Sequence, residues 1–284
     1  DHMIIPFLSL RDLALSRQVC TFFEAYWQDK FSNNVLPLRV GNDVATIDGV
    51  MGVIEILSSR REYTKASPFV VLLAKGDHEV TSSWTNPNSH VRQTTLGITR
   101  NNITFIGQGI GVTTILGGFG IHNKQNITLK QLTLTNTNGD GIQMFGAIVE
   151  LVDVATVRCL ANGTRVYSIA SFPSQLVATR CEMSNNGLSG LSIVKQWSFS
   201  INVCLKNCIS HHNGTNGIYV SGESMINIHG DASAIHSNGS RGIYVASFGK
   251  VLLHLPSHHN TIYNNIREDR HIGYGGTITN VEDK

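Results

Sequence analysis

From Phe69 onward the apolar residues come in short alternating runs, set apart by polar turns rich in asparagine and glycine. Ile218-Tyr219-Val220, Ile226-Asn227-Ile228 and Ile235 are followed by Ile243-Tyr244-Val245, Val251-Leu252-Leu253 and Ile262. Asn213-Gly214-Thr215-Asn216-Gly217-Ile218-Tyr219-Val220 returns 25 residues later as Asn238-Gly239-Ser240-Arg241-Gly242-Ile243-Tyr244-Val245. Asn-Gly falls at Asn138, Asn162, Asn186, Asn213 and Asn238, and Asn265 takes the next place, at intervals of 24, 24, 27, 25 and 27 residues. Upstream, Asn102-Ile103-Thr104-Phe105 returns as Asn126-Ile127-Thr128-Leu129, again after 24. Strands this short cannot pair locally across such polar turns. A repeat of this length with three short strands fits one coil of a parallel β-helix, each strand pairing with its equivalents above and below. The inward residues then stack into ladders of Ile, Val and Leu. Leucine-rich repeats share the period, but the LxxLxL pattern is missing and the coils hold no helical stretch. The pattern predicts an all-β solenoid, a right-handed single-stranded parallel β-helix. From Phe69 to Val281 there is room for about nine coils, at roughly 4.8 Å each.

A stack of coils has open edges at its ends and needs closure. Asp43–Arg60 places Val44, Ile47, Val50, Met51, Ile54 and Leu57 at helical spacing, with Asp43 as cap. The strand Phe69–Leu73 and the turn Lys75-Gly76-Asp77 follow. Gly273–Asn280 has no further apolar core and is expected to end the last coil. The first forty residues contain no Asn-Gly and show two helical patterns, around Leu8–Ala14 and Leu15–Trp27. The chain therefore divides into an α-helical segment over 4–40 and a β-helix over 41–284, with a capping helix at 43–60 and coils over 69–281.

The order of amphipathic helix, strand and glycine turn resembles the N-terminal cap of pectate-lyase-like β-helices. The repeated NGxxGIYV resembles the β-helix repeats of carbohydrate-binding proteins and sugar hydrolases, above all the version found behind F-boxes in ubiquitin-ligase receptors. The stretch from Phe7 to Phe23, with Leu13 closing a Leu-x-Asp-Leu and Val19-Cys20 opening the next helix, resembles the central part of an F-box. That resemblance implies a Skp-type adaptor as partner, held by Leu8, Leu10, Asp12, Leu13, Val19, Cys20, Phe22 and Phe23. The family's opening Leu-Pro helix is missing, although Ile5-Pro6 stands near its place. The alternative is that these apolar residues only cap the rod.

Composition narrows the field further. The chain is 41% hydrophobic and 15% charged with a net charge of +2, which gives no general attraction to nucleic acid or anionic membranes. Its longest apolar runs, such as Phe69–Ala74, are far too short to cross a bilayer. Asp1-His2-Met3 resembles a cloning remnant. Five cysteines, an odd number, with Cys159, Cys181 and Cys208 in matching places of the repeat, favour a reducing, intracellular (cytoplasmic) compartment over a secreted one.

The chemistry expected of an enzyme with this fold is thinly represented. A hydrolase needs two or three carboxylates together, and a lyase needs Arg or Lys beside a neutralised uronate. The motifs of polygalacturonases, alginate epimerases and pectate lyases are absent, and Asp140, Asp153, Glu182, Glu223 and Asp231 are scattered. If there is catalysis, Asp140, Asp153, Arg158 and Arg180 are the candidates, with both arginines expected in one register, each directly before a ladder cysteine, as a small basic stripe beside Asp153. His211-His212, His236 and His258-His259 each precede a turn asparagine, without the Cys or acidic partners of a metal set, so no metal or cofactor is expected. The five sequons, at Asn102, Asn126, Asn162, Asn213 and Asn238, are expected by-products of a turn that wants an Asn able to take left-handed φ or to bond its own backbone, with Gly beside it, and whose stacked copies form a side-chain amide ladder. Tyr219 and Tyr244 alternate with inward Ile and Val, so they face outward, one coil apart. The expected function is a non-catalytic recognition protein binding a protein or glycan partner on the β-helix face. The alternative is a lyase, C5-epimerase or hydrolase of uronate-containing glycans.

Overall fold

The computed structural model describes residues 37–59, 61–169, 172–195, 199–254 and 261–281. The F-box-like stretch, with Leu8, Leu10, Asp12, Leu13, Val19, Cys20, Phe22 and Phe23, lies outside the described residues.

The alternating runs form a parallel solenoid with three faces. The first face stacks Phe69–Leu73, Ile103–Ile106, Ser174–Thr179, Ile201–Lys206, Met225–His229, Lys250–His254 and Thr277–Asn280 with the opening halves of the long strands Ile127–Thr135 and Ile148–Val157. The closing halves of those two strands join Glu182–Ser184, Ile209–His211 and Ala234–His236 on a short second face. The third face is an eight-stranded sheet running from Thr95–Ile98 to Glu268–Ile272. Every coil-to-coil pairing is parallel and in register, so like positions stack. Ile103, Ile127, Val149, Leu176, Val203, Ile226 and Val251 form one inward column, each at most 1% exposed. Burying each such side chain contributes roughly 1.5–3 kcal/mol, which is why an inward position tolerates apolar residues almost alone.

The regular turns number about six rather than nine. Dividing length by period counts the two ends as turns, and both ends are built differently. Before Ile103 a hairpin, Trp84–Thr85 against Val91–Arg92, interrupts the coil. At the far end the inward column Leu191–Ile218–Ile243 arrives at Arg270, and Val220–Val245 arrives at Ile272, which is 53% exposed.

The capping helix spans Gly49–Ser58, shorter than the expected 43–60, and buries Val50, Met51, Val53 and Ile54. Asp43 does not cap it: its carboxylate accepts from the Arg39 N–H at 2.9 Å. The helix starts after Asp48, whose carboxylate is drawn away to Thr81 and Ser82, accepting from both hydroxyls at 2.7 and 2.6 Å. Val44 and Ile47 are buried but precede the helix. Leu38–Val40, expected at the end of the helical segment, is a strand paired with Phe69–Leu73 and covers that edge of the sheet. Gly49–Ser58 is the only α-helix among the described residues, and none there is long and apolar enough to cross a membrane.

The corner between second and third faces explains the Asn-Gly repeat: the expected amide ladder forms there, while the expected left-handed φ is found at Asn102 and Asn126 and not at Asn162, Asn213 or Asn238. The left-handed residue stands one place before the ladder position, which Cys159 holds in the first of these coils and an asparagine in the rest: Arg158, Asn185, His212, Ser237 and Asn264 stack there with φ of 56°, 55°, 53°, 54° and 55°. The asparagines themselves point inward. Asn186 Nδ2 donates to Asn213 Oδ1 at 2.9 Å, Asn213 to Asn238 at 3.0 Å, and Asn238 to Asn265 at 2.8 Å. Each Oδ1 also accepts the backbone N–H of the coil before, starting from Cys159. Asp269 closes the ladder, accepting from Asn265 Nδ2 at 2.8 Å. Asn162, from the same sequence series, belongs to a neighbouring column with Asp140 and Ser189. Asn162, Asn213 and Asn238 are 4%, 1% and 0% exposed, so these sequons are out of reach of a glycosylating enzyme in the folded chain.

Candidate functional site

The third-face strands each present one outward residue between two inward ones, and a glycine, from Gly118 to Gly242, opens the six between the two end strands. The outward column reads Gly97, Gly120, Gln143, Arg165, Ser192, Tyr219, Tyr244 and His271. Its two glycines lie under the indole of Trp84, leaving no room for a Cβ at either. Trp84 thereby lays the hairpin across the first coils of the face. A second aromatic row follows, with Phe145 and Tyr167 stacked at 4.5 Å and Trp84 tilted on Phe145 at 6.0 Å. The Arg165 guanidinium sits 4.6 Å from the centre of the Tyr167 ring.

Beyond this cover the column opens into a shallow cavity of about 240 Å³, whose lining includes Arg165, Ser189, Ser192, Asn216, Tyr219 and Tyr244. The tyrosine rings lie 5.3 Å apart, and Arg241 lies 4.7 Å over Tyr244. Ser189 Oγ is 3.0 Å from Thr215 Oγ1 and 3.5 Å from Asn216 Nδ2. Seven buried side-chain polar atoms lack a partner among the described residues, and five of them belong to this region: Arg92 Nε, Gln143 Oε1, Arg165 Nε, Asn216 Oδ1 and Arg241 Nε. A larger groove of about 380 Å³ on the first face, between Lys65, Thr128, Lys130 and Glu150, has neither an aromatic wall nor orphaned donors.

The four candidate catalytic residues do not converge on this cavity. Asp140 is buried at the corner before the third face, where it accepts from Asn162 N at 2.8 Å, Asn162 Nδ2 at 2.7 Å and Gln143 Nε2. Asp153 and Arg180 stack at the corner between first and second faces and form a two-pronged ion pair, both contacts 2.7 Å. That pair holds the Asp153 carboxyl below the usual range, the hydrogen bond from Arg180 outweighing slight burial. Arg158 does not share the register of Arg180. It occupies the exposed left-handed corner position in line with Asn185. Cys181 and Cys208 do stack, while Cys159 stands in the asparagine column. Burial pushes the Cys159 thiol up to about 12, and all four described cysteines are free thiols.

The histidines form a stack on the second face, not a ligand set; no metal-holding group is found among the described residues. His211 and His236 are parallel at 5.0 Å, His236 lies 4.8 Å on Tyr263, and His211 Nε2 is 3.2 Å from Glu182 Oε1. Burial, and then the neighbouring His211 and His212, lower the pKa of His236, and burial lowers that of His122. Both therefore take up a proton less readily in the fold than in the unfolded chain, where histidine titrates near about 6.5. Stability is therefore full above that value and lost as pH falls through it. The melting temperature is expected to drop between about pH 7.5 and 5.5, and less so in His236→Gln. Equal slopes in both proteins, measured by circular dichroism melts, would remove His236 from this account.

Sequence reasoning placed Tyr219 and Tyr244 outward and one coil apart, where the structure has them, and did not single out Gln143, Arg165 or Ser192. The signal was present in Gly141, Gly163, Gly190, Gly217 and Gly242, each of which opens a strand of the same face two residues before the outward position.

Comparison with known proteins follows this geometry. Residues 85–266 match the family described as the right handed beta helix region. No curated protein matches the chain. Among solved structures, the A-module of the mannuronan C-5 epimerase AlgE6 of Azotobacter vinelandii is similar at 12% identity, covering 86% of this chain and 98% of that one with a TM-score of 0.32. The AlgE4 A-module of the same organism gives 13% identity, 83% and 95% coverage and a TM-score of 0.28. ORF18 of Geobacillus virus E2 gives 12% identity over 95% of this chain and 63% of that one, with a TM-score of 0.47. Likenesses of this size leave activity and ligand open.

Proposed function

Because the chain belongs to the right-handed β-helix family, whose fold is a scaffold that leaves activity open, we propose that it is a recognition protein binding a glycan on its third face. The observation that carries this is the outward row Arg165–Ser192–Tyr219–Tyr244 lining one cavity. Sugar rings present apolar C–H faces and a rim of hydroxyls. Two half-buried tyrosine rings suit the first, and serine, asparagine and arginine side chains suit the second. The cavity is small for the convex surface of a folded protein and suits a single ring of a chain running along the rod.

The competing enzyme reading asks for two carboxylates, or a carboxylate and a base, facing one groove. Asp140 is instead buried with its oxygens already accepting from Asn162 and Gln143, and Asp153 is bound to Arg180 at a different corner. Binding without turnover agrees with both placements.

Tyr219→Ala combined with Tyr244→Ala is expected to weaken retention of oligosaccharides by about tenfold or more, at the scale of one or two lost aromatic contacts. The melting temperature should stay close to that of the parent, because both rings lie outside the core. A printed panel of neutral and acidic oligosaccharides followed by calorimetry on any that is retained would show this. Retention that the double variant does not reduce, or a panel from which nothing is retained, would remove the glycan reading.

A further inference from the structure

The third face carries more positive charge than its own partners neutralise. Arg241 is the weakest case, because its Nε lies 3.7 Å from Glu268 Oε2. Arg165 and Arg92 have no ion-pair partner among the described residues, and the Nε of each is shielded from water without an acceptor. Arg165 lines the cavity, while Arg92 sits on the hairpin that Trp84 presses onto the same face. The two act on one place. Burial raises the pKa of the Tyr167 phenol, and the charges of Arg165 and Arg92 both oppose that rise. Asp140 is the one carboxylate that also reaches Tyr167, and its oxygens are already engaged by Asn162 and Gln143. Two guanidiniums against one engaged carboxylate leave the spot positive. Gln143, 3% exposed, adds an Oε1 that accepts no hydrogen bond.

Unpaired buried donors are costly in a folded chain, and more so when charged. A guanidinium fork without a partner, stacked on an aromatic ring, is well formed to take a planar or tetrahedral oxyanion. We propose that this cavity selects an acidic sugar, whose carboxylate or sulfate oxygens are held by Arg165, with Arg92 reinforcing the charge. The inference rests on the glycan reading above and narrows it to one ligand class.

Three probes separate the sources of the anion: tetragalacturonate for carboxylate, a sulfated maltotetraose for sulfate, and maltotetraose as the neutral chain. Titration calorimetry on the full chain at low and moderate salt is expected to show an acidic probe binding at least tenfold more tightly than maltotetraose, with the preference shrinking as salt rises. Arg165→Gln is expected to bring the acidic-to-neutral ratio close to one, and Arg165→Lys to retain part of it, since the ammonium keeps the charge but not the fork. A thermal melt of each variant checks that the fold is kept. Equal binding of acidic and neutral probes, or a ratio that Arg165→Gln leaves unchanged, overturns the acidic-sugar proposal and leaves the glycan reading standing. No binding of any probe overturns both, and points instead to a protein partner on this face.

Discussion

Replacing Asn213 by alanine is expected to lower the stability of the chain by about 3–5 kcal/mol, among the largest effects of any single side chain outside the apolar columns. Asn213 is 1% exposed and sits in the middle of the amide ladder. Its Oδ1 accepts from Asn186 N and Nδ2 at 3.2 and 2.9 Å. Its Nδ2 donates to Met183 O and Asn238 Oδ1, both at 3.0 Å. Alanine therefore strips partners from two coils at once. Each buried group left unsatisfied costs about 1–3 kcal/mol, and no water can enter a corner this tight to replace the amide. At about 2–4 °C per kcal/mol for a chain of this size, the melting temperature should fall by on the order of 10 °C. Asn216→Ala, three residues on and partly exposed, serves as the control and should cost less than about 1 kcal/mol. Differential scanning calorimetry decides the matter. A melt of Asn213→Ala within about 2 °C of the parent would show that the ladder is an accompaniment of the fold and not a source of its stability.

A second large effect is expected from adding one methyl group at Gly217. Its φ is ordinary, so the requirement is space and not backbone freedom. A Cβ there would lie 2.5 Å from Ile235 Cγ2, and 2.8 Å from both Asn238 Nδ2 and the Gly242 carbonyl oxygen. Gly163, Gly190 and Gly242 are crowded in the same way, each against the ladder amide beside it and a backbone carbonyl of the next coil. The coils can close to their normal spacing only if this column has no side chains. Overpacking alone costs about 1–3 kcal/mol, and the forced shift also stretches the Asn213–Asn238 hydrogen bond. Gly217→Ala should therefore cost about 3 kcal/mol or more, with a melting temperature roughly 6–12 °C lower. Gly139→Ala is the matched control. Its added methyl would meet only Asn136 Nδ2, at 3.6 Å, which is ordinary contact. Fewer accessible conformations in the unfolded chain make that change neutral or slightly stabilising. Equal melting temperatures for the two variants would refute the close-packing explanation of the glycine column.

These two residues also show where sequence reading held and where it stopped. Ile218, Val220, Ile243 and Val245 were legible as inward rungs from their alternation, and all four are fully buried in the expected register. Tyr219 and Tyr244 were legible as outward neighbours for the same reason. The Asn-Gly signal was legible as a corner and as an amide ladder, but its left-handed conformation was placed on the asparagine itself. The left-handed conformation sits one residue earlier, on side chains as unlike as Arg158, His212 and Ser237. A column defined by backbone conformation, and indifferent to side chain, leaves no mark in a single sequence. The Asn162 signal was likewise read into the main ladder, although it stacks on Asp140 in another.

The candidate site divides along the same line. Arg165 and Ser192 looked unremarkable because nothing in their local sequence sets them apart from other outward positions. They join the tyrosines only through stacking, which brings residues about 25 positions apart to within one coil. Arg92 is further still from any local signal, since a hairpin inserted before the regular coils carries it onto the face. Asp153 and Arg180, by contrast, were legible as neighbours, and stacking does pair them, but Arg158, expected beside them, stands at another corner.

Periodicity was sufficient for the solenoid, its inward ladders, the polar corners and a helix near the first strand. Each of these follows from a rule that acts within one coil, either alternation about a pleat or helical spacing over one face. Only the folded chain decided the number of regular turns, the membership of each column and the grouping of Arg92, Gln143, Arg165, Tyr219 and Tyr244. Those depend on register between coils. The repeat length varies between 24 and 27 residues, and a difference of one residue in a turn moves a side chain to another column or to the other face of the sheet. Hydrogen bonding and close packing between neighbouring coils select among those registers, and both arise only once the coils are stacked.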